Sequence, residues 1–135
     1  MALLNWTAEA FGTNITAADD EHKVIFDMVN SLNDLVAGGD RAAVGKQLDA
    51  LIAYVAGHFK TEEDLFDAHG YPGTEAHKKL HAELVNTCLD VQKKFHGGEL
   101  DITGDTCVFV KDWLYNHIPA HDKNYGPYLN SKGVN

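Results

Sequence analysis

Histidine is the residue in this chain whose type and spacing could do chemistry: eight occur in 135 residues. His58 and Glu62 are four apart, as are His77 and His81. Residues four apart share one face of a helix. Each pair can present two donor atoms to one metal ion, or to two ions close together. His22 stands alone earlier in the chain, and Asp122 follows His117 by five residues. Five residues of regular helix turn through about 500°, which would point those two apart. Pro119 lies between them. It can distort the last turn and bring Asp122 round to the side of His117.

These residues interrupt apolar stripes of helical spacing. His22 precedes Ile25, Phe26, Val29 and Leu32; His58 and Glu62 follow Leu48, Leu51 and Val55; His77 and His81 precede Leu84 and Val91; His117 follows Val110 and Leu114. An unpaired polar side chain on a buried stripe costs free energy. A metal cluster would relieve all seven burials together. The set is too large for one zinc ion, which takes four ligands. It is too rich in nitrogen for calcium or magnesium. Two six-coordinate ions accommodate it, with both carboxylates bridging and a solvent-derived oxygen bridge. About one position then stays open, on the ion with two histidines. That is a place for one small exogenous ligand on a redox-active metal. His69, His96 and His121 lie near breaks or off the stripes and read as surface residues. Cys88 and Cys107 read as small core hydrophobes without a redox role.

The elements that must position these side chains are helices. Breaks fall at Gly38-Gly39, Gly70 to Gly73, Gly97-Gly98 and Gly126-Pro127. Between them the spacing predicts helices over about 19–37, 41–69, 74–96 and 104–122. Asp19 or Asp20, Asp40, Thr74, and Thr103 or Asp105 are the candidate opening residues. Residues 1–18 read as a non-helical arm whose Trp6 and Phe11 cover one end or side of the bundle. Residues 123–135 read as a tail. No alternating strand pattern is present. Short gaps make neighbours antiparallel, so the expected fold is all-α: one domain over 1–135, an up-down-up-down four-helix bundle.

Composition narrows the partners. Acidic residues number 20 against 11 basic ones, a net charge of -9. That excludes nucleic acid and anionic membrane surfaces as natural targets. No run approaches the ~20 apolar residues of a membrane span. The first residues show no targeting pattern, so a cytoplasmic location is expected.

The set His22, His58-x-x-x-Glu62, His77-x-x-x-His81 and His117-x-x-x-x-Asp122 resembles the signature of the hemerythrin family, in its single-domain bacterial form. The likeness runs from Trp6 to Tyr128. The resemblance implies a four-helix bundle holding two non-heme iron ions. His77, His81 and His117 would bind one iron, and His22 and His58 the other. Glu62 and Asp122 would bridge them, together with an oxo or hydroxo group. Dioxygen would bind at the iron with two histidines and leave by reversal. Ile25, Phe59, Trp113, Leu114 and Ile118 match the family's apolar pocket, with Leu114 as the gate. Tyr125 matches a tyrosine that hydrogen-bonds near a bridging carboxylate.

The residues agree with binding rather than turnover. Ferritin-like di-iron sites use Glu-x-x-His pairs, and none occurs here. Fewer anionic ligands leave less electron density to cleave an oxygen–oxygen bond. The expected function is therefore a reversible dioxygen carrier or store, not an enzyme, that supplies an oxygen-consuming enzyme. Its expected partners are dioxygen and that enzyme, with no nucleic acid, no membrane insertion and a monomeric state. The competing readings are a sensor acting in trans, a peroxide- or nitric-oxide-processing enzyme, and a metal store. The enzyme would need proton donors near the open position, where the candidates are apolar. One fixed cluster per chain stores little metal.

Overall fold

The computed structural model describes residues 2–135. Its elements are α1 (Ala8–Phe11), α2 (Thr16–Gly38), α3 (Arg41–His69), α4 (Thr74–His96), α5 (Gly104–His117), a π-helical turn (Ile118–Asp122) and α6 (Lys123–Ser131). Among the described residues there is no strand. The four long helices α2 to α5 form an antiparallel bundle. α2 packs on both α3 and α5, and α3 packs on α4. Among the described residues, no helix is long and apolar enough to cross a membrane.

Local chemistry sets most of the helix ends. The Asp40 carboxylate accepts hydrogen bonds from the backbone N–H groups of Ala42 and Ala43, at 3.1 and 3.2 Å, and opens α3. Thr103 opens α5 in a capping box with Thr106. Gly39 and Gly70 close α2 and α3 in the left-handed conformation, at φ 76° and 64°.

Two openings differ from expectation. α2 starts at Thr16, ahead of Asp19, and Ile15 before it offers no side-chain cap. The Asp19 carboxylate instead accepts from the N–H and hydroxyl of Thr13, at 2.9 and 2.8 Å, and folds the preceding arm back. Gly73 precedes α4, and the Thr74 hydroxyl donates to the Tyr71 carbonyl rather than capping.

The arm and the tail are also more ordered than expected. One helical turn, α1, forms within the arm, capped by Thr7. Phe11 then packs between the rings of Phe26 and Tyr115, with centroids 5.1 and 4.8 Å away, and covers the seam between α2 and α5. Trp6 is half-buried beneath the Lys23 ammonium, 4.4 Å from its ring. After Asp122 the chain continues as α6 through Gly126-Pro127. The hydrogen bond that Pro127 cannot make would reach only Lys123, the first residue of α6, so the helix survives. Gly126 is required for another reason: a Cβ there would stand 2.0 Å from the Thr13 carbonyl oxygen. This contact seats α6 on the folded-back arm.

The interior has three layers. Ile25, Val29, Leu48, Leu51 and Leu114 belong to one apolar cluster, and Ile15, Ala18, Phe66, Tyr125 and Leu129 form a second. Along α2, His22 falls between Ala18 and Ile25; along α3, His58 and Glu62 fall between Leu51 and Phe66. The candidate ligands thus form a polar layer between two apolar ones.

Candidate metal centre

All seven candidate ligands are at most 4% exposed. His22 comes from α2, His58 and Glu62 from α3, His77 and His81 from α4, and His117 from α5. Asp122 ends the π-helical turn, which closes with a hydrogen bond from the N–H of Lys123 to the carbonyl of Ile118. That i→i+5 pattern has the wider turn of a π-helix. Pro119, lacking an N–H, cannot hold the tighter α-helical register. Residues five apart therefore come onto one face, and His117 Nε2 lies 2.8 Å from Asp122 Oδ1.

The ligand atoms fall into two groups sharing Asp122. One contains His77, His81, His117 and Asp122; the other contains His22, His58, Glu62 and Asp122. Within each group the atoms lie within 4.8 Å of one another. Each carboxylate divides its oxygens between the two sets of rings. Asp122 Oδ1 lies 2.9 Å from His77 Nε2, while its Oδ2 lies 3.1 Å from His22 Nε2. Glu62 Oε1 lies 3.1 Å from His81 Nε2, while its Oε2 lies 3.5 Å from His58 Nε2. The Nε2 atoms of His58, His77, His81 and His117 and one oxygen of each carboxylate are buried and, despite these short approaches, make no hydrogen bond of good geometry among the described residues. Such atoms are rare in a native fold. A cation in each group would satisfy them, and this mix of imidazole and carboxylate suits a first-row transition metal.

Electrostatics show what a metal would displace. Burial pulls the His22 imidazole down, but the Asp122 and Glu62 carboxylates outweigh it and raise its pKa to about 10. The same opposition raises His77 to about 9. Burial also opposes ionisation of Asp122 and Glu62, yet the surrounding rings hold both carboxyls below their usual range. Burial lowers His117 despite Asp122 beside it.

In metal-free protein, His22 and His77 therefore hold protons that the unfolded chain releases above 6.5. Their stabilisation is complete below pH 6.5 and disappears as pH rises through about 9 and about 10. His117, shifted the other way, contributes in full above 6.5 and does not change over this window. Bound metal replaces the protons. The melting temperature of metal-free protein should fall from pH 7 to 10, while that of metal-loaded protein stays nearly level. Parallel falls in both would show that these rings are not the ones metal engages.

Aromatic groups and outer carboxylates fix the rings. Phe59 stacks on His81 at 3.7 Å and 4°, and Trp113 stacks on His117 at 4.1 Å and 16°. The Tyr125 hydroxyl donates to Glu62. Burial, with the Glu62 and Asp122 carboxylates nearby, pushes that phenol well above its usual range and keeps it a donor. Glu21 and Glu63, which the spacing argument passes over, contact His58 and His81 through Nδ1. Each stands one residue from a ligand, about 100° round its helix and off the apolar stripe. A carboxylate beside a ligand position was the available signal.

A cavity of about 60 Å³ meets the centre on one side. Ile25, Phe59, Trp113 and Leu114 line it, together with His22 and His58 of one group, His117 of the other and the shared Asp122; His77 and His81 do not. Ile118 is not among the lining residues; fully buried, it packs in the same apolar cluster as Ile25 and Leu114. His96 and His121 are exposed and His69 is half-buried. Cys107 is fully buried, Cys88 lines the cavity, and burial pushes both thiols up.

Comparison with known proteins places this geometry. A family model described as Hemerythrin HHE cation binding domain matches residues 13–129. The bacteriohemerythrin of Methylococcus capsulatus is 57% identical over 131 residues, covering 97% of this chain and all of that one. The bacteriohemerythrin of Pseudomonas aeruginosa is 34% identical over 125 residues, 93% of this chain and 80% of that protein. The crystal structure of a wild-type hemerythrin superposes with a TM-score of 0.94 at 58% identity, over 95% of this chain and 98% of that one. These relatives bear the name of a binding protein, not of an enzyme. With its helical bundle and its buried His/Glu/Asp cluster able to hold a metal, the chain belongs to the hemerythrin family.

Proposed function

We propose that the seven buried ligands hold two non-heme iron ions and that the protein binds dioxygen reversibly, as a carrier or store. The observation that carries this reading is the division of each carboxylate between two groups of imidazoles. That arrangement suits two ions that Glu62 and Asp122 would hold in common, with an oxo or hydroxo group between them. His77, His81 and His117 serve one ion, and His22 and His58 the other. The bound iron pair supplies the electrons that hold dioxygen and recovers them on release.

The chain's own residues set the conditions. The cavity touches both histidines of one group, His22 and His58, but only His117 of the other, which supports an open position on the ion with two histidines. Ile25, Phe59, Trp113 and Leu114 give that position an apolar wall, which excludes water and stray protons. Tyr125 holds Glu62 by its hydroxyl and places no acid in the cavity. This favours binding over turnover. We assign the protein a cytoplasmic location, a monomeric state, and the supply of an oxygen-consuming enzyme as its role.

Stoichiometry tests the proposal. Reduced, iron-loaded protein should contain about two iron ions per chain and take up about one dioxygen per pair. It should return that dioxygen under vacuum. Uptake with release of peroxide or water, and no recovery of dioxygen, would replace the carrier with an enzyme.

A further inference from the structure

Two of the five histidines of the centre are held from behind by a carboxylate. His58 Nδ1 lies 2.7 Å from Glu21 Oε1, and His81 Nδ1 lies 2.8 Å from Glu63 Oε2. In both rings Nε2 faces the centre. His22 differs: its Nε2 also faces the centre, but its Nδ1 is buried without a partner. Each glutamate reaches forward by one helix. Glu21 on α2 holds the ring from α3, and Glu63 on α3 holds the ring from α4.

Both contacts are built. The Thr61 hydroxyl lies 3.3 Å from the second oxygen of Glu21 and 3.2 Å from the Gly57 carbonyl, and its one proton is shared between these acceptors. Phe59 lies flat on His81, so Glu63 fixes the edge of a ring whose face is already packed. The side chains of Glu21 and Glu63 are 28% and 29% exposed, whereas Glu62 is buried. Their charges keep contact with water and need no metal to justify them. The two act on different groups: Glu21 on the one whose two histidines both line the cavity, Glu63 on the one with three histidines.

We propose that Glu21 and Glu63 are positioning residues of the metal centre, one for each ion. Each fixes an imidazole with its proton on Nδ1 and its Nε2 lone pair aimed inward. A hydrogen bond from a metal-bound imidazole to a carboxylate also makes that ring a stronger donor. The oxidised state of the neighbouring ion is thereby favoured. This inference rests on the two-ion reading above, and the experiment separates the two.

Wild-type protein, Glu21→Gln, Glu21→Ala, Glu63→Gln and Glu63→Ala are compared in two ways. Cobalt(II), competed against a chelator, reads metal affinity without iron or dioxygen. Mössbauer spectra and reduction potentials of the iron-loaded proteins read each ion. The alanine variants should lose roughly 10–100-fold in cobalt affinity. Glutamine keeps an acceptor at the same place but no charge. The glutamine variants should hold cobalt within a few-fold of wild type and shift the potential toward the reduced state. The Glu21 and Glu63 variants should alter different iron signals. Exposed Asp64, paired on the surface with Lys60, supplies the control: Asp64→Asn should change nothing.

Wild-type cobalt affinity in both alanine variants would overturn the proposal and leave the glutamates as surface charges. Changes confined to one and the same iron signal would overturn the assignment of one glutamate to each ion. Wild-type protein that takes up no iron pair would refute the di-iron reading. The cobalt result would still decide whether the glutamates position the rings.

Discussion

Asp122→Ala should leave the protein without both metal ions, whereas His77→Ala should cost it one. Asp122 stands within 3.1 Å of His22 and 2.9 Å of His77, so both groups of ligands lose an oxygen when it goes. His77 belongs to one group only. Its loss leaves His22, His58 and both carboxylates in place for the other ion. Either change also strands buried polar partners. Removing one member of a buried charged cluster typically costs about 3–5 kcal/mol. For a domain of this size that corresponds to a fall of roughly 10–20 °C in melting temperature. Metal analysis and thermal melting on the same samples check both halves. A ratio of two metals per chain in His77→Ala would remove His77 from the centre. Equal losses in the two variants would contradict the shared position of Asp122.

Leu114→Ala should speed oxidation of the reduced iron, roughly tenfold, without lowering the metal content. Leu114 is 5% exposed and lines the cavity beside Trp113 and His117. Truncation enlarges a space that already holds about 60 Å³. It also removes part of the apolar wall that separates the centre from solvent. Leucine-to-alanine changes in cores cost about 2–5 kcal/mol, so the fold should survive at a reduced melting temperature. Comparing the decay of the oxygenated spectrum in variant and wild type at one temperature isolates the effect. An unchanged decay rate would show that Leu114 does not guard the centre.

The contrast between these two sites reflects what a sequence makes visible. Helical spacing brings out His58 with Glu62 and His77 with His81, because residues four apart share a face whatever the neighbours do. Asp122 requires more. Its side depends on the π-helical turn, and a proline signals distortion without saying which kind. The Gly126-Pro127 pair reads as a stop, yet α6 passes through it: Pro127 forfeits only the bond to the first residue of the helix, and Gly126 serves the close approach to Thr13. Asp19 reads as a helix opener, but its carboxylate is taken by the arm. Ile118 lies within one residue of a ligand but is not among the residues that line the cavity. Glu21 and Glu63 act across helix pairs, and such contacts depend on how the helices are rotated about their axes. No pattern within a single helix encodes that rotation.

The division of two carboxylates between two sets of imidazoles is the feature on which the account turns. Its most direct test is an optical spectrum of the reduced, iron-loaded protein, recorded without air, then in air, then again under argon. The account predicts a visible charge-transfer band that appears in air, fades under argon and returns on a second exposure. A band that forms once and converts irreversibly to the spectrum of oxidised iron would contradict reversible binding, as would no band at all with iron still present.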